Sequence, residues 1–128
     1  MANTRHAVTI TLPADGDLSS NQFRIVGVDD NGRAQIQTGV ATPCIGILMN
    51  KPAATDRPAE IAIVGSIVKV EAGAALNERD YIRANTGGIA TATTTAEDEV
   101  VGIALSAAAA SADLFEMLVI GPANYPTA

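Results

Sequence analysis

The chain has 128 residues, enough for one domain or two very small halves sharing a core, and at 48% apolar and 17% charged it is built to fold. A net charge of -6 leaves no basic face to displace counterions from nucleic acid, and no apolar run is long enough to cross a bilayer, which argues against both as partners. With no Trp, two Phe and two Tyr, Ala and Gly supply much of the apolar count; burial stabilises by roughly 25 cal/mol per Å2, so such side chains give a thin core that a neighbouring subunit would complete.

The opening MANTRHAVTITL lacks the hydrophobic run of a secretory signal, and residues up to Ala7 read as an N-terminal arm. Val8-Thr9-Ile10-Thr11-Leu12 alternates with period two, as a strand does. A small-residue turn, a strand led by Phe23, the turn DDNG and a further strand follow, since Asn and Gly tolerate positive φ. From Cys44 a strand leads into NKPAATDRPAE, an exposed loop in which Lys51 and Arg57 among prolines suit a docking surface, and then into the strand ending at Gly65.

Ile67-Val68-Lys69-Val70-Glu71 again alternates with period two, and AGAALNERDY has room for one helical turn before a strand led by Tyr81 and a turn at Gly87-Gly88. Glu97, Asp98 and Glu99 read as a solvated acidic loop. VVGIAL and FEMLVI read as strands on either side of SAAAASAD, and Gly121-Pro122 ends the last strand, leaving residues 122-128 as a tail.

The alanine run poses a choice between helix and turn, which self-comparison addresses. Residues 44-65 align without a gap on residues 100-121, with Gly46 on Gly102, Ile47 on Ile103, Glu60 on Glu116 and Gly65 on Gly121. In the earlier copy the segment equivalent to the alanines contains Pro52 and Pro58, which break a helix. SAAAASAD is therefore expected to be a connection between strands, with a short helix confined to the second copy as the alternative. The preceding segments repeat the same order, with Tyr81 set against Phe23 and Gly87-Gly88 against Asn31-Gly32. The expectation is one all-β domain, a small barrel or sandwich of short strands, internally duplicated over about 7-65 and 66-121, with at most one or two helical turns.

Groups for chemistry are few. His6, the single histidine, lies in the arm, and Cys44 has no partner for a disulfide and reads as a small buried hydrophobe. DDNG has calcium-loop letters, but Arg33 follows at once and no Glu closes a loop of about 12 residues, so a hairpin turn is the better reading. No spacing suits zinc and no Gly-rich loop precedes a Lys, so no catalytic residue, metal or cofactor is expected.

The elements Gly102-Ile103-Ala104-Leu105, Ala107 to Ala110, Glu116 to Ile120 and Ala72 to Leu76, spread over residues 40-121, resemble those of bacteriophage capsid cement proteins, also called head decoration proteins. Ser111-Ala112-Asp113 departs from that family's pattern, which has a glycine after the alanine run. The resemblance implies a non-enzymatic β-rich virion subunit, made in the host cytoplasm and usually homotrimeric. Such a subunit binds the major capsid protein on the outside of the head and stabilises the shell. It also implies a docking arm, here by position Ala2, Asn3, Thr4, Arg5, His6 and Ala7. Ala108, Ala109 and Tyr125 are the candidate subunit contacts. The rival readings are a phage tail or fibre module and, from a different class, a small β-barrel ligand-binding domain.

Overall fold

The computed structural model describes residues 6-37, 44-95 and 98-124; Ala2 to Arg5, Glu97 and Tyr125 lie outside them. The strands are β1 (Thr9–Pro13), β2 (Ile25–Val28), β3 (Ala34–Ile36), β4 (Cys44–Leu48), β5 (Pro58–Ala62), β6 (Ile67–Glu71), β7 (Tyr81–Ala84), β8 (Ala90–Ala92), β9 (Glu99–Ala104) and β10 (Leu114–Asn124). They form two five-stranded antiparallel sheets, ordered β1-β5-β4-β2-β3 and β6-β10-β9-β7-β8. Each sheet curls until its outer strands meet, because the residue after the first strand bridges to the third, Ala14 to Ala34 and Ala72 to Ala90. The all-β expectation is met, and within each half the form is a small closed sheet.

The second order is the first with every strand advanced by five, and the hydrogen bonds repeat with it. Leu18 N–H donates to the Pro52 carbonyl at 2.8 Å and Leu76 N–H to that of Ala108 at 2.9 Å. Phe23 N–H donates to Leu48 at 2.7 Å and Arg79 N–H to Ala104 at 2.8 Å. The side chains of Asn50 and Ser106 each accept the N–H of the following strand's glutamate, Glu60 and Glu116, at 2.9 Å. Equivalent residues stand 58 apart up to Leu18 (76 minus 18) and 56 apart from Asn21 (77 minus 21), so Ser19 and Ser20 are extra in the first half.

Both interiors are built at matched positions. Ala14, Leu18, Val26, Ala34, Leu48, Ala59 and Ile61 fill the first, and Ala72, Leu76, Ile82, Ala90, Ala104, Phe115 and Met117 take those places in the second. Leu48 with Ala59 becomes Ala104 with Phe115, so the large side chain moves from one strand to its neighbour and the packed volume is kept. Gly46 and Gly102 are required by close approach: a Cβ would overlap the Ala62 carbonyl oxygen at the one and the Leu118 carbonyl oxygen at the other.

A second set of side chains joins the halves. Ile25, Ile47 and Ala62 are in register across β2, β4 and β5, alternate with the inward residues, and are fully buried in one cluster with Val101 and Val119 of β9 and β10, the strands that β4 meets in the second half. Polar contacts rim this seam. Glu71 N–H donates to the Phe23 carbonyl at 2.9 Å, and its carboxylate meets the Arg24 guanidinium at 3.2 Å. The Lys69 ammonium lies 5.0 Å from the Phe23 ring centre. Gly65 and Val119, and Val119 and Ser66, are joined by backbone bonds of 2.9 and 2.8 Å.

Several sequence expectations are corrected. Tyr81 matches Ile25, not Phe23, whose equivalent is Arg79; both Phe23 (φ 67) and Arg79 (φ 75) are left-handed, so backbone geometry and not aromaticity defines the equivalence. AGAALNERDY forms no helical turn, because Leu76 exchanges backbone hydrogen bonds with Ala108. The one 3-10 turn among the described residues is Thr86–Gly88. The last strand does not stop at Gly121 but runs to Asn124, and Pro122 falls within a register shift between Val119 and Ala123, an irregularity of the kind where a strand tolerates proline. SAAAASAD is a turn, as expected from the prolines of its counterpart.

Ala112 in that turn is left-handed (φ 73), as is its counterpart Asp56 (φ 67), so the missing family glycine falls beside a position that suits glycine. Ala112→Gly should raise unfolding free energy by about 1 kcal/mol in urea titration, relieving left-handed strain that costs roughly 1–2 kcal/mol in an L-residue. Gly102→Ala should lower it by about 1–3 kcal/mol or more as β9 and β10 are forced apart.

Candidate contact surfaces

The groups singled out for chemistry are used structurally. Cys44 is buried, and its N–H donates to Glu99 Oε1 at 2.8 Å. Burial first, and then the Glu99 carboxylate, push its thiol far above the ordinary cysteine range, which leaves almost no thiolate to act as a nucleophile. His6 is exposed, and its carbonyl accepts the Ile67 N–H at 2.7 Å, so the arm is tied at this residue to the start of β6. DDNG is a hairpin turn: Asp29 Oδ1 accepts the N–H groups of Asn31 and Arg33 at 2.9 and 2.8 Å, which turns that carboxylate oxygen onto the chain itself.

Of the acidic group Asp98 and Glu99 are described, and neither is simply solvated. Asp98 accepts the Thr93 hydroxyl at 2.7 Å and faces Arg83 at 3.9 Å, while Glu99 lies in β9 and holds the Cys44 amide. Both side chains are drawn inward because each has a fixed donor to satisfy. Among the described residues no cluster of three or more His, Cys, Asp or Glu is placed to hold a metal, and no cavity of ligand size is present.

What the surface offers is apolar and shallow. Val8, Ile10 and Val64 in the first half, and Leu105 and Leu114 in the second, are the large hydrophobic residues that stand exposed. Leu105 and Leu114 flank the alanine turn, whose shape is held by Asp113: its Oδ2 accepts the N–H groups of Ala109 and Ala110 at 3.1 Å. Of the candidate subunit contacts, Ala108 is only 4% exposed and is used by its own chain against Leu76, whereas Ala109 faces outward. The Ala108 methyl therefore belongs to the interior, and a bulky replacement there would disturb the chain's own fold. Lys51 and Arg57 are exposed on the loop between β4 and β5, and of the arm His6 and Ala7 are described and exposed.

The exposed leucines and valines could not be singled out in sequence. β1 alternates as if half-buried, yet Thr9, Ile10 and Thr11 are all exposed, because the first half does not cover this strand in the way the second half's β6 is covered. The available signal was the comparison of halves: β6 carries Lys69 and Glu71 where β1 carries Thr11 and Pro13.

Comparison with known proteins gives two findings. A family model described as phage cement protein matches residues 2–120. The fold is similar to that in the crystal structure of the head fiber gp8.5 N base in bacteriophage phi29, with a TM-score of 0.66 and 16% identity over 94% of this chain and 98% of that one. No curated protein matches the sequence.

Alkylation tests the reading of Cys44. At neutral pH the folded protein should resist maleimide, and the same thiol should react promptly once the chain is unfolded in urea; rapid labelling of the folded form would show that the thiol is accessible.

Proposed function

The chain belongs to the phage cement protein family, and is thus a structural component of the virion; from this we propose that it binds the outer surface of the head as a homotrimer and stabilises the shell by contacts with the major capsid protein. The observation that carries this reading is the family match over residues 2–120. The chemistry is compatible with it: a cement subunit needs no tuned titratable group, only many weak contacts repeated by symmetry.

In a trimer each subunit's modest affinity is multiplied, because after the first contact the others become intramolecular. Binding the mature shell and not its disassembled parts adds stability by mass action. The arm, Ala2 to Ala7, is assigned to capsid docking, and His6 within it is bonded to Ile67. The two halves, taken as 7–65 and 66–121, act together as one body across their buried seam.

A second reading, that the chain forms the base of a head fibre, is favoured by the structural likeness to the phi29 protein. Electron microscopy of the particle separates it from the first, since a fibre base would carry further density projecting from the head.

Purified protein added to heads lacking it should bind saturably at micromolar concentration and raise the temperature at which they disrupt. Deletion of residues 2–5, which keeps the His6 bond to Ile67, should weaken that binding while leaving the unfolding midpoint nearly unchanged. Absence of binding to any candidate head would refute the cement reading.

A further inference from the structure

The outer edges of β1 and β6 are equivalent, yet only one of them is occupied. Antiparallel pairing turns alternate residues toward the neighbouring strand and leaves the others facing outward. Ser66 and Ala72, at the two ends of β6, bond on the β10 side: Val119 N–H donates to the Ser66 carbonyl and Ala72 N–H to the Asp113 carbonyl, both at 2.8 Å. Ile67, Lys69 and Glu71 therefore face outward. Ile67 N–H donates to the His6 carbonyl at 2.7 Å, His6 N–H donates to the Ile67 carbonyl at 3.5 Å, and Glu71 N–H donates to the Phe23 carbonyl at 2.9 Å. Val8 and Ala14, at the two ends of β1, bond on the β5 side: Ile63 N–H donates to the Val8 carbonyl at 2.9 Å and Ala14 N–H to the Arg57 carbonyl at 2.8 Å. Thr9, Thr11 and Pro13 therefore face outward, and among the described residues nothing is bonded to the backbone groups of Thr9 and Thr11 on that side.

The side chains register the difference. Val68 and Val70 stand opposite Met117 and Phe115, and Ile10 and Leu12 opposite Ile61 and Ala59, so all four face the interior of their own half. Val68 and Val70 are fully buried, whereas Ile10 is 38% exposed and Leu12 partly exposed. What β1 lacks is a neighbour on its outer side. We propose that this neighbour is an extended segment of the major capsid protein, which adds to β1 as a strand, exchanges backbone hydrogen bonds with Thr9 and Thr11, and lays an apolar side chain over Ile10. The proposal rests on the reading of the chain as a subunit that docks on the head, and names a contact by which it does so.

The molecule itself shows what such an edge accepts: at β6 it is extended backbone, with His6 in an antiparallel bridge to Ile67. Edge strands are normally guarded by charged side chains, and β6 carries Lys69 and Glu71, but β1 has no charge from Val8 to Pro13. The segment it takes is accordingly uncharged where it runs beside β1. It is also short, since Pro13 has no N–H to offer at the place where Glu71 bonds Phe23. β1 follows directly on the arm assigned to docking, and His6 and Ala7 are exposed at its start, so arm and strand make one continuous contact with the same partner. Main-chain pairing supplies affinity without a pocket, and among the described residues the surface has none.

Hydrogen exchange read by mass spectrometry, on the free protein and on protein bound to heads that lacked it, tests the proposal. In the free protein the outward amides of Thr9 and Thr11 should exchange freely while those of Ile10 and Leu12 are protected; on heads the outward amides should slow by about tenfold or more. In parallel, Thr11→Pro removes an outward N–H without costing a bond to β5, and Ile10→Lys returns a charge to the edge. Each variant should fold as the wild type does by circular dichroism and melting, and bind heads about tenfold or more weakly. If a variant misfolds, exchange in the wild type decides. A wild type that binds heads with its β1 amides still exchanging overturns this proposal and leaves the cement reading standing, as does a folded Thr11→Pro that binds as well as the wild type. A wild type that binds no head overturns both. Outward amides that are already slow in the free protein, and that quicken on dilution, assign the edge to a second copy of the chain and overturn the proposal.

Discussion

Ile25, Ile47 and Ala62 turn away from the first interior, and three apolar side chains in line on neighbouring strands would stand in water if the second half did not cover them. Covering them brings the Thr86–Gly88 turn against the first half, where Gly88 is tolerated because a Cβ would press on the Ile25 carbonyl. It also sets Arg24 over Glu71 and Phe23 under Lys69. The two small interiors, each rich in alanine, gain through this seam a shared core that neither has alone.

The same constraint shapes the outer surface. A half whose sheet is closed on itself still has an apolar outer stripe, and two halves joined head to tail cover only one stripe between them. The leftover surfaces are apolar, shallow and without an enclosed cavity among the described residues, which suits extended contact with other proteins. The potential reactive groups are turned inward or tied down: Cys44 is buried beside a carboxylate, and Asp29 binds its own hairpin.

A cement protein on this plan works by position and repetition. The turn at Ala107–Ala110 is fixed by Asp113 and by the bridge of Ala108 to Leu76, so the leucines at its two ends are held on a rigid base and lose little freedom on contact. His6 is bonded to Ile67 at the start of β6.

The sequence by itself determined the all-β class, the repeat, and the turn nature of the alanine run, because period-two alternation, paired glycines and the two prolines of the earlier copy are local signals that survive without a partner strand. It also made the family legible through the glycine strand and the alanine turn. Only the tertiary structure decided that Phe23 answers to Arg79, since that depends on a backbone conformation which unlike side chains share. It alone decided that Val68 is buried while Ile10 is exposed, although the two strands read alike. Exposure depends on what lies across the sheet, and that is set by the packing of one half on the other, which no local pattern encodes.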